Sequence, residues 1–225
     1  MSAIRSKKFD YIFTGGGCAA LSLLIRMIQS GKFADKKILL IDKEPKTTND
    51  RTWCFWENGN GLFDEIVYMK WPVVNFYSDT FSAPLEIAPY QYKMIRGIDF
   101  YNYCFEIIRK QQNIETIYGT VRFEDSKVLV DDVVLETNGA VVFNSLYTLP
   151  SKENGIIVLQ QHFKGWIIET ENPSFNMEQA TLMDFRVHQD YGTTFCYLLP
   201  LSETKALVEY TLFSENLLSP AQYND

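Results

Sequence analysis

The chain has 225 residues, 46% of them hydrophobic, and a formal net charge of −7 at pH 7. This acidic balance argues against a nucleic-acid-binding protein, which needs a basic face. The sequence has no run of 18 apolar residues, so we expect no transmembrane helix. Because residues 1–8 lack an apolar signal-peptide core, we expect a cytoplasmic protein. The four cysteines (18, 54, 104 and 196) form no C-x-x-C pair, so we expect packed thiols and no metal site.

The first 42 residues predict a strand, a glycine turn, a helix and a second strand that ends in an acid. Residues 9–14 and 37–42 are apolar runs short enough for buried strands. Between them, apolar residues recur at helical spacing at Leu21, Leu24, Ile25 and Ile28. Gly31 lies where a glycine is typical just after a helix. This order is typical of a Rossmann-type unit.

The glycine turn, residues 15–20, has the spacing G-x-G-x-x-A of a dinucleotide-binding fingerprint. Gly15 permits the tight turn, Gly17 lets the backbone approach a pyrophosphate, and Ala20 allows close packing of helix and strand. Asp42 follows Gly17 by 25 residues, at the strand end where a carboxylate accepts from ribose hydroxyls. We therefore expect Gly15, Gly16, Gly17, Ala20 and Asp42 to bind a dinucleotide; an ordinary loop is the alternative.

An aromatic segment follows the second strand, with Arg51 ahead of Trp53 and Trp56. Ligands of doubly wound sheets bind outside the carboxyl ends of the strands, near which this segment lies. Arg51 can meet a phosphate or a carboxylate, and Trp53 can contact a flat ring. Core packing, with Arg51 in solvent, is equally consistent with the residues.

The rest of the chain predicts mostly strands. Short strands are expected within 68–95, and Asp99 can cap a helix. Asn138-Gly139 predicts a hairpin between 133–136 and 140–143, which would close a small antiparallel meander. Further strands are expected at 114–118, 120–123, 127–130, 160–168, 181–187, 194–199 and 206–213.

This order predicts an α/β fold: a Rossmann-type FAD-binding domain with an inserted β-meander, and a mostly antiparallel substrate-domain sheet that is incomplete at the C-terminus. We assign 1–74 to the FAD-binding part, 75–97 to the first substrate-domain strands, 98–155 to the FAD-domain helix and meander, and 156–225 to the substrate-domain sheet.

Two carboxylates lie among apolar neighbours in the later strands. In a period-2 strand, Glu209 shares one face with Leu207 and Thr211. If that face lines a dry cavity, desolvation raises the pKa of Glu209, which suits a general acid. Asp184 has a similar setting. The alternative is that both acids face water, or pair with Arg186 or Lys205.

The chain resembles the bacterial lycopene β-cyclases. The resemblance is carried, in family order, by residues 10–20, 50–56, 92–97, 161–166, 183–187 and 195–202, with 206–214 after them. The Arg-Thr-Trp, Met-Asp-Phe and Leu-Pro-Leu-Ser segments are its more specific parts.

The resemblance implies a flavin-dependent enzyme that closes β-ionone rings at the ends of lycopene without net redox change, with Glu209 as the catalytic acid and Asp184 as a second candidate. It implies reduced FAD, with NAD(P)H as a candidate reductant, and lycopene or a similar linear carotenoid as substrate. The 15% aromatic content suggests peripheral contact with the inner face of the membrane. The sequence does not determine whether one end or both ends of the substrate are cyclised, nor the oligomeric state.

The resemblance also implies a longer protein, whose later part returns to the nucleotide domain and completes the flavin site. We therefore expect a C-terminally truncated member of the family, possessing half of that site. A flavin-dependent monooxygenase or dehydrogenase of the same layout is an alternative. An inactive fragment that binds lipid or a partner through aromatic surface is another.

Overall fold

The computed structural model describes residues 7–124, 127–146 and 157–223. These residues form two compact units. The first contains the chain up to Arg51 and continues from Gly97 to residue 146. The second contains Thr52–Arg96 and residues 157–223. Each unit is therefore built from two separate stretches of chain.

The described residues form two α-helices, α1 (Cys18–Gln29) and α2 (Gly97–Ile108), and a short 3-10 turn at Asp64–Ile66. Their strands, in chain order, are β1 (Tyr11–Thr14), β2 (Ile38–Asp42), β3 (Thr52–Asn58), β4 (Val67–Trp71), β5 (Val73–Tyr77), β6 (Ser82–Glu86), β7 (Tyr90–Arg96), β8 (Ile114–Tyr118), β9 (Val121–Glu124), β10 (Lys127–Val130), β11 (Val133–Leu135), β12 (Val141–Asn144), β13 (Gln160–Glu169), β14 (Gln179–Asp184), β15 (Thr193–Ser202) and β16 (Lys205–Ser214).

The first unit is built on a parallel sheet with strand order β12-β1-β2-β8. Every residue of β2 is buried, as expected of a strand covered on both faces. Ile12 and Leu39 point to the face on which the β9-β10-β11 meander packs. Phe13 and Leu40 alternate with them and are also fully buried. The predicted Rossmann-type fold is thereby confirmed.

The helix boundaries follow from local capping. At the end of α1, the N–H groups of Ser30 and Gly31 donate to carbonyls of the last turn, and Gly31 has φ +67°. The second helix begins at Gly97, before the predicted start. The Ile98 N–H donates to the Asn49 side-chain oxygen at 3.3 Å. Asp99 therefore lies in the first turn, where its charge complements the helix dipole.

The Asn138-Gly139 hairpin prediction was wrong. The turn itself forms, with Gly139 at φ +81° and the Ala140 N–H donating to the Thr137 carbonyl at 2.9 Å. The strand after it, β12, pairs in parallel with β1 instead of returning along β11. Backbone pairing of β12 along β1, at the edge of the main sheet, outweighs the local hairpin preference of the turn. The meander is therefore formed by β9, β10 and β11 alone.

The second unit contains a six-stranded sheet of order β13-β16-β15-β14-β5-β6 and a three-stranded sheet of order β3-β7-β4. Neighbouring strands of the six-stranded sheet are antiparallel except β14 and β5, which are parallel, and β13 and β16 pair over ten residues without a register shift. Side chains of both sheets meet in one apolar core, whose fully or nearly fully buried members are Trp71, Val74, Tyr92, Met94, Ala180 and Leu199. The face of the large sheet that meets this core is called the inner face below.

The unit boundaries differ from the expected domain boundaries at two places, widely at the first and by one residue at the second. The expected boundary after residue 74 lies too late, because β3 pairs with β7 along all seven of its residues and so belongs to the second unit from Thr52 onward. The expected boundary at 97/98 lies one residue from the observed one, before Gly97. The expected boundary at 155/156 lies outside the described residues.

Candidate functional site

The glycine turn of the first unit has the open geometry that a bound phosphate needs. Gly15 has φ +124°, and a Cβ there would lie 3.0 Å from the Ser145 Cβ. Gly17 is the N-cap residue of α1, makes no side-chain capping bond, and a Cβ there would meet nothing within 4 Å. The space beside Gly17, at the N-terminus of α1, is thus open, and a helix N-terminus attracts anions.

Two further predicted residues support this turn from opposite sides. Ala20 is 5% exposed, so its small side chain packs in the interior of the unit. Asp42 ends β2 beside the turn. Its Oδ2 accepts the Gly16 N–H at 2.6 Å, and its Oδ1 forms an ion pair with the Lys46 Nζ at 2.9 Å. The structure therefore brings the acid and the glycine turn together, as the sequence spacing predicted.

Arg51 and Trp53 are divided between the two units. Arg51 ends the first stretch of the first unit; its carbonyl accepts the Gly97 N–H at 2.7 Å and its side chain is exposed. Trp53 is half-buried on β3 of the second unit. Trp56, on the same strand, is 46% exposed and contacts the Tyr92 ring at a centroid distance of 4.6 Å. No single cluster within either unit contains both Arg51 and Trp53.

Glu209 lies in the middle of β16, on the inner face of the second unit. It is paired with Tyr197 of β15 on one side and with Gly165 of β13 on the other. Leu207, two residues earlier on the same face, packs against the apolar core. Glu209 is half-buried, and this burial raises the pKa of its carboxyl above the usual range. No cation among the described residues counteracts that shift.

The ionisable groups that interact electrostatically with Glu209 are neutral at physiological pH. Burial raises the pKa of the Cys54 thiol to about 12. Burial likewise raises the pKa of the Tyr92 and Tyr197 hydroxyls. The Tyr92 hydroxyl and the Cys54 thiol are hydrogen-bonded to each other. Glu209 therefore lies among uncharged thiol and phenol groups, an environment that favours its protonated form.

Asp184 has the opposite electrostatic setting. The Arg186 Nε donates to its Oδ1 at 2.9 Å and the Arg186 Nη2 to its Oδ2 at 2.7 Å. These hydrogen bonds from Arg186 lower the pKa of the carboxyl. The pairing with Arg186 that the sequence left open is thus the one observed, whereas Lys205 pairs with Glu169 and not with Glu209. Asp184 is a carboxylate at neutral pH and not a proton donor.

Sequence reasoning missed three residues of this site: Cys54, Tyr92 and Tyr197. Each belongs to a segment that carried the family resemblance, but a strand read alone does not reveal its partner on another sheet. Alternation in β3 does place Cys54 and Trp56 on one face. Only the tertiary structure shows that this face meets the inner face of the large sheet.

None of the helices in the described part of the chain has the length and apolar character needed to cross a membrane.

Two comparisons with known proteins indicate the same family. The family model described as "Lycopene cyclase protein" matches residues 10–224. A lycopene beta-cyclase of Pantoea ananas is 26% identical over 217 residues, which cover 92% of this chain and 53% of that protein. The chain thus spans about half the length of this curated relative.

Several solved structures share the fold. A probable FAD-dependent monooxygenase, PqsL of Pseudomonas aeruginosa, aligns with a TM-score of 0.58 and 12% identity, covering 92% of this chain and 61% of that one. A 2-methyl-3-hydroxypyridine-5-carboxylic acid oxygenase aligns with a TM-score of 0.60 and 13% identity, covering 93% and 60%. At such identities the likeness concerns the fold alone.

Proposed function

The chain belongs to the lycopene cyclase protein family, and we propose that the complete protein closes β-ionone rings at the ends of lycopene or a similar linear carotenoid. The reaction is acid-catalysed and has no net redox change. The single observation that carries this proposal is Glu209: a half-buried carboxyl among neutral groups, with its pKa raised by burial. Such a carboxyl still holds its proton at a pH where a solvated glutamate has lost it.

The proposed mechanism begins with proton transfer from Glu209 to the terminal double bond. A C–H bond forms and the π bond breaks, which leaves a tertiary carbocation. The neighbouring alkene attacks this cation, a ring C–C bond forms, and loss of a proton restores a double bond. One proton is added and one is lost, so substrate and product are isomers.

The surroundings of Glu209 suit this chemistry. The carboxylate left after proton transfer lies close to the new cation, and their attraction is strong in a poorly solvated site. The rings of Trp56, Tyr92 and Tyr197 present π-faces and edges of the kind that stabilise a passing cation. Asp184, ionised by Arg186, is proposed as a second carboxylate that helps to balance positive charge.

The proposed cofactor is reduced FAD, and the glycine turn fits its pyrophosphate. The open space at Gly17 and the uncapped N–H groups of α1 leave room for phosphate oxygens. We propose that Gly15, Gly16 and Ala20 shape this turn and that Asp42 binds the ribose. When bound, the reduced flavin would supply negative charge that stabilises the cationic transition state.

Arg51 and Trp53 remain proposed contacts to the cofactor in the complete protein, and NAD(P)H remains a proposed source of electrons for its reduction. Peripheral contact with the inner face of the membrane is also a proposal. It is supported by exposed apolar side chains on β13, where Phe163 is 58% exposed and Ile167 is 54% exposed. Recovery of the complete enzyme wholly in the soluble fraction of pigmented cells would count against it.

The test is expression of the complete protein in lycopene-accumulating cells, followed by chromatographic analysis of the pigments. We expect cyclised carotenoids, and the 225-residue chain expressed alone serves as a comparison. Unchanged lycopene from the complete, flavin-loaded protein would contradict the proposed function.

A flavin-dependent monooxygenase is the second candidate, because the similar solved structures include FAD-dependent monooxygenases. It would consume NAD(P)H and oxygen in proportion to product. A cyclase needs the reductant only to keep the flavin reduced, so stoichiometric NAD(P)H consumption would favour the second candidate.

A further inference from the structure

Gly165 occupies a strand position where the backbone gives no reason for a glycine. It lies in the middle of β13, and glycine in a strand interior costs conformational entropy and contributes no packing. Its φ lies outside the positive range that favours glycine. The ten consecutive pairs between β13 and β16 show no bulge at this point. Neither backbone conformation nor strand irregularity therefore accounts for a glycine at position 165.

The facing strand supplies a reason for this glycine. A Cβ at Gly165 would lie 3.2 Å from the Glu209 Cγ and 3.5 Å from its Oε1. The first distance is shorter than ordinary van der Waals contact, so the Glu209 side chain would have to move by a few tenths of an ångström. The volume that a side chain at position 165 would occupy is thus already filled by the side chain of Glu209.

We propose that Gly165 is a positioning residue for Glu209: its missing side chain leaves the volume in which the carboxyl lies against the β13 backbone. This inference rests on the proposed function, in which Glu209 is the acid. Phe163 and Ile167, two residues to either side on the same face, are more than half exposed, and neither supplies one of the three atoms nearest to a Cβ at position 165. Glu209 is thereby held on the inner face with the thiol of Cys54 and the hydroxyls of Tyr92 and Tyr197.

A methyl group at position 165 would move the carboxyl away from β13. The variant enzyme should still bind substrate and flavin. Its displaced carboxyl, however, is less well oriented to transfer a proton to the double bond. Misplacement by a fraction of an ångström is expected to lower kcat by about tenfold while KM changes little. The displaced carboxyl also gains access to water, so the alkaline limb of the kcat–pH profile should move to lower pH.

The first experiment compares three variants of the complete enzyme: Gly165→Ala, Gln161→Ala and Glu209→Gln. Gln161 is exposed on the same strand and face, so it is the matched control. We expect Gln161→Ala to behave as wild type, Glu209→Gln to be inactive, and Gly165→Ala to lose kcat and shift its pH profile with flavin bound. A wild-type kcat and pH profile for Gly165→Ala would overturn the inference. Inactivity of the wild type itself would instead contradict the proposed function.

The second experiment is a double-mutant cycle on thermal stability, which does not require activity. In Glu209→Ala the space beside β13 is vacant, so adding Gly165→Ala should change the midpoint of unfolding very little. The same change in the wild type should lower the midpoint clearly, so the two effects are not additive. Equal losses in both backgrounds would show that position 165 requires glycine for another reason, and would overturn the inference.

Discussion

Glu209 lies directly opposite Tyr197 because the pairing of β15 with β16 shifts by one residue near its turn. Ser202 pairs with Lys205, and unshifted pairing from there would place Leu198 opposite Glu209. The irregularity just before Ser202 places Tyr197 there instead. Such a shift exchanges the two faces of a strand. The polar environment of the proposed acid thus depends on a local backbone irregularity at Leu201, eight residues before Glu209 in sequence.

Replacing Glu209 by glutamine tests the acid directly. The amide has nearly the same shape but no transferable proton, so cyclisation should fall by more than about a hundredfold, the lower range of a general acid's contribution. Flavin absorbance of the complete enzyme should be retained, because the glycine turn that we propose to bind the cofactor belongs to the first unit. Pigment analysis measures the loss. Substantial β-carotene formation by this variant would refute the role of Glu209 as acid.

The raised pKa of Glu209 also predicts how stability depends on pH. Because burial raises the pKa in the folded state, the folded protein holds this proton more tightly than the unfolded chain. The contribution of this group to stability is therefore complete below the usual glutamate pKa of about 4.3. It is lost as pH rises through the pKa that Glu209 has in the folded protein. Glu209→Gln should gain stability relative to wild type as pH rises. Urea unfolding at a series of pH values measures this, and a pH-independent difference would contradict it.

For Asp184 we expect stability to depend on pH in the opposite direction. Arg186 lowers the pKa of its carboxyl in the folded state, so the stabilising contribution is present above the usual aspartate pKa of about 3.9 and is lost as pH falls through the folded value. Asp184→Asn should lose at most about 1 kcal/mol at neutral pH, because Arg186 is largely exposed. The same urea series tests this. A loss that persists undiminished at acid pH would point to another role for Asp184.

The glycine turn allows folding to be separated from cofactor binding. Gly15→Ala places a side chain at φ +124° and against Ser145, which should cost about 2 kcal/mol of unfolding free energy and abolish flavin binding. Gly17→Ala meets no protein atom within 4 Å. Its methyl group should therefore leave folding intact and obstruct only the phosphate. Calorimetry and flavin titration of the complete protein would distinguish them, and equal effects of the two variants would contradict this interpretation.

The buried Lys93 follows Tyr92 directly on β7 and points to the opposite face of that strand, so we expect replacement of its partners to affect stability and not the proposed chemistry. Its ammonium is fully buried and forms ion pairs with Glu57 at 2.9 Å and Asp64 at 2.7 Å, and donates to the Gly59 carbonyl at 2.6 Å. Asp64→Ala should cost about 3 kcal/mol of unfolding free energy, since a buried cation loses a partner. The exposed acid Glu65, replaced by alanine, is the matched control. Similar midpoints of chemical unfolding for both variants would contradict the expected cost.

Much of the fold could be predicted because the apolar patterns are local. The β1–α1–β2 unit, the position of Gly31 and the strands of the second unit follow from periodicity and turn residues. Prediction failed where long-range pairing outweighed a local signal. Asn138-Gly139 favours a hairpin, but β12 finds its partner in β1, more than a hundred residues earlier in the chain. The boundary near residue 74 failed for the same reason, since β3 pairs with β7.

The proposed site was predictable only in part. Alternation indicated that Glu209 shares a face with Leu207, and the apolar neighbours suggested a desolvated carboxyl. The same argument made Asp184 an equal candidate for the catalytic acid, because the sequence does not show that Arg186 pairs with it. The roles of Tyr197 and Gly165 depend on cross-strand register, and the register of Tyr197 depends in addition on one irregularity that no residue type announces.

The alternation of the two units along the chain has a consequence for folding during synthesis. The turn at Gly15 is backed by Ser145, and β1 pairs with β12, so the first unit cannot complete its sheet until its last strand has left the ribosome. Residues 52–96 leave the ribosome earlier than β12. The sheet that contains β5 is completed later still, because β5 pairs with β14, which is synthesised after β12. Long-range closures of this kind are slow and leave strand edges open meanwhile. The strands of residues 52–96 pair with one another except along the edge of β5 that β14 later covers, and this is the edge that we expect chaperones to shield in the nascent protein.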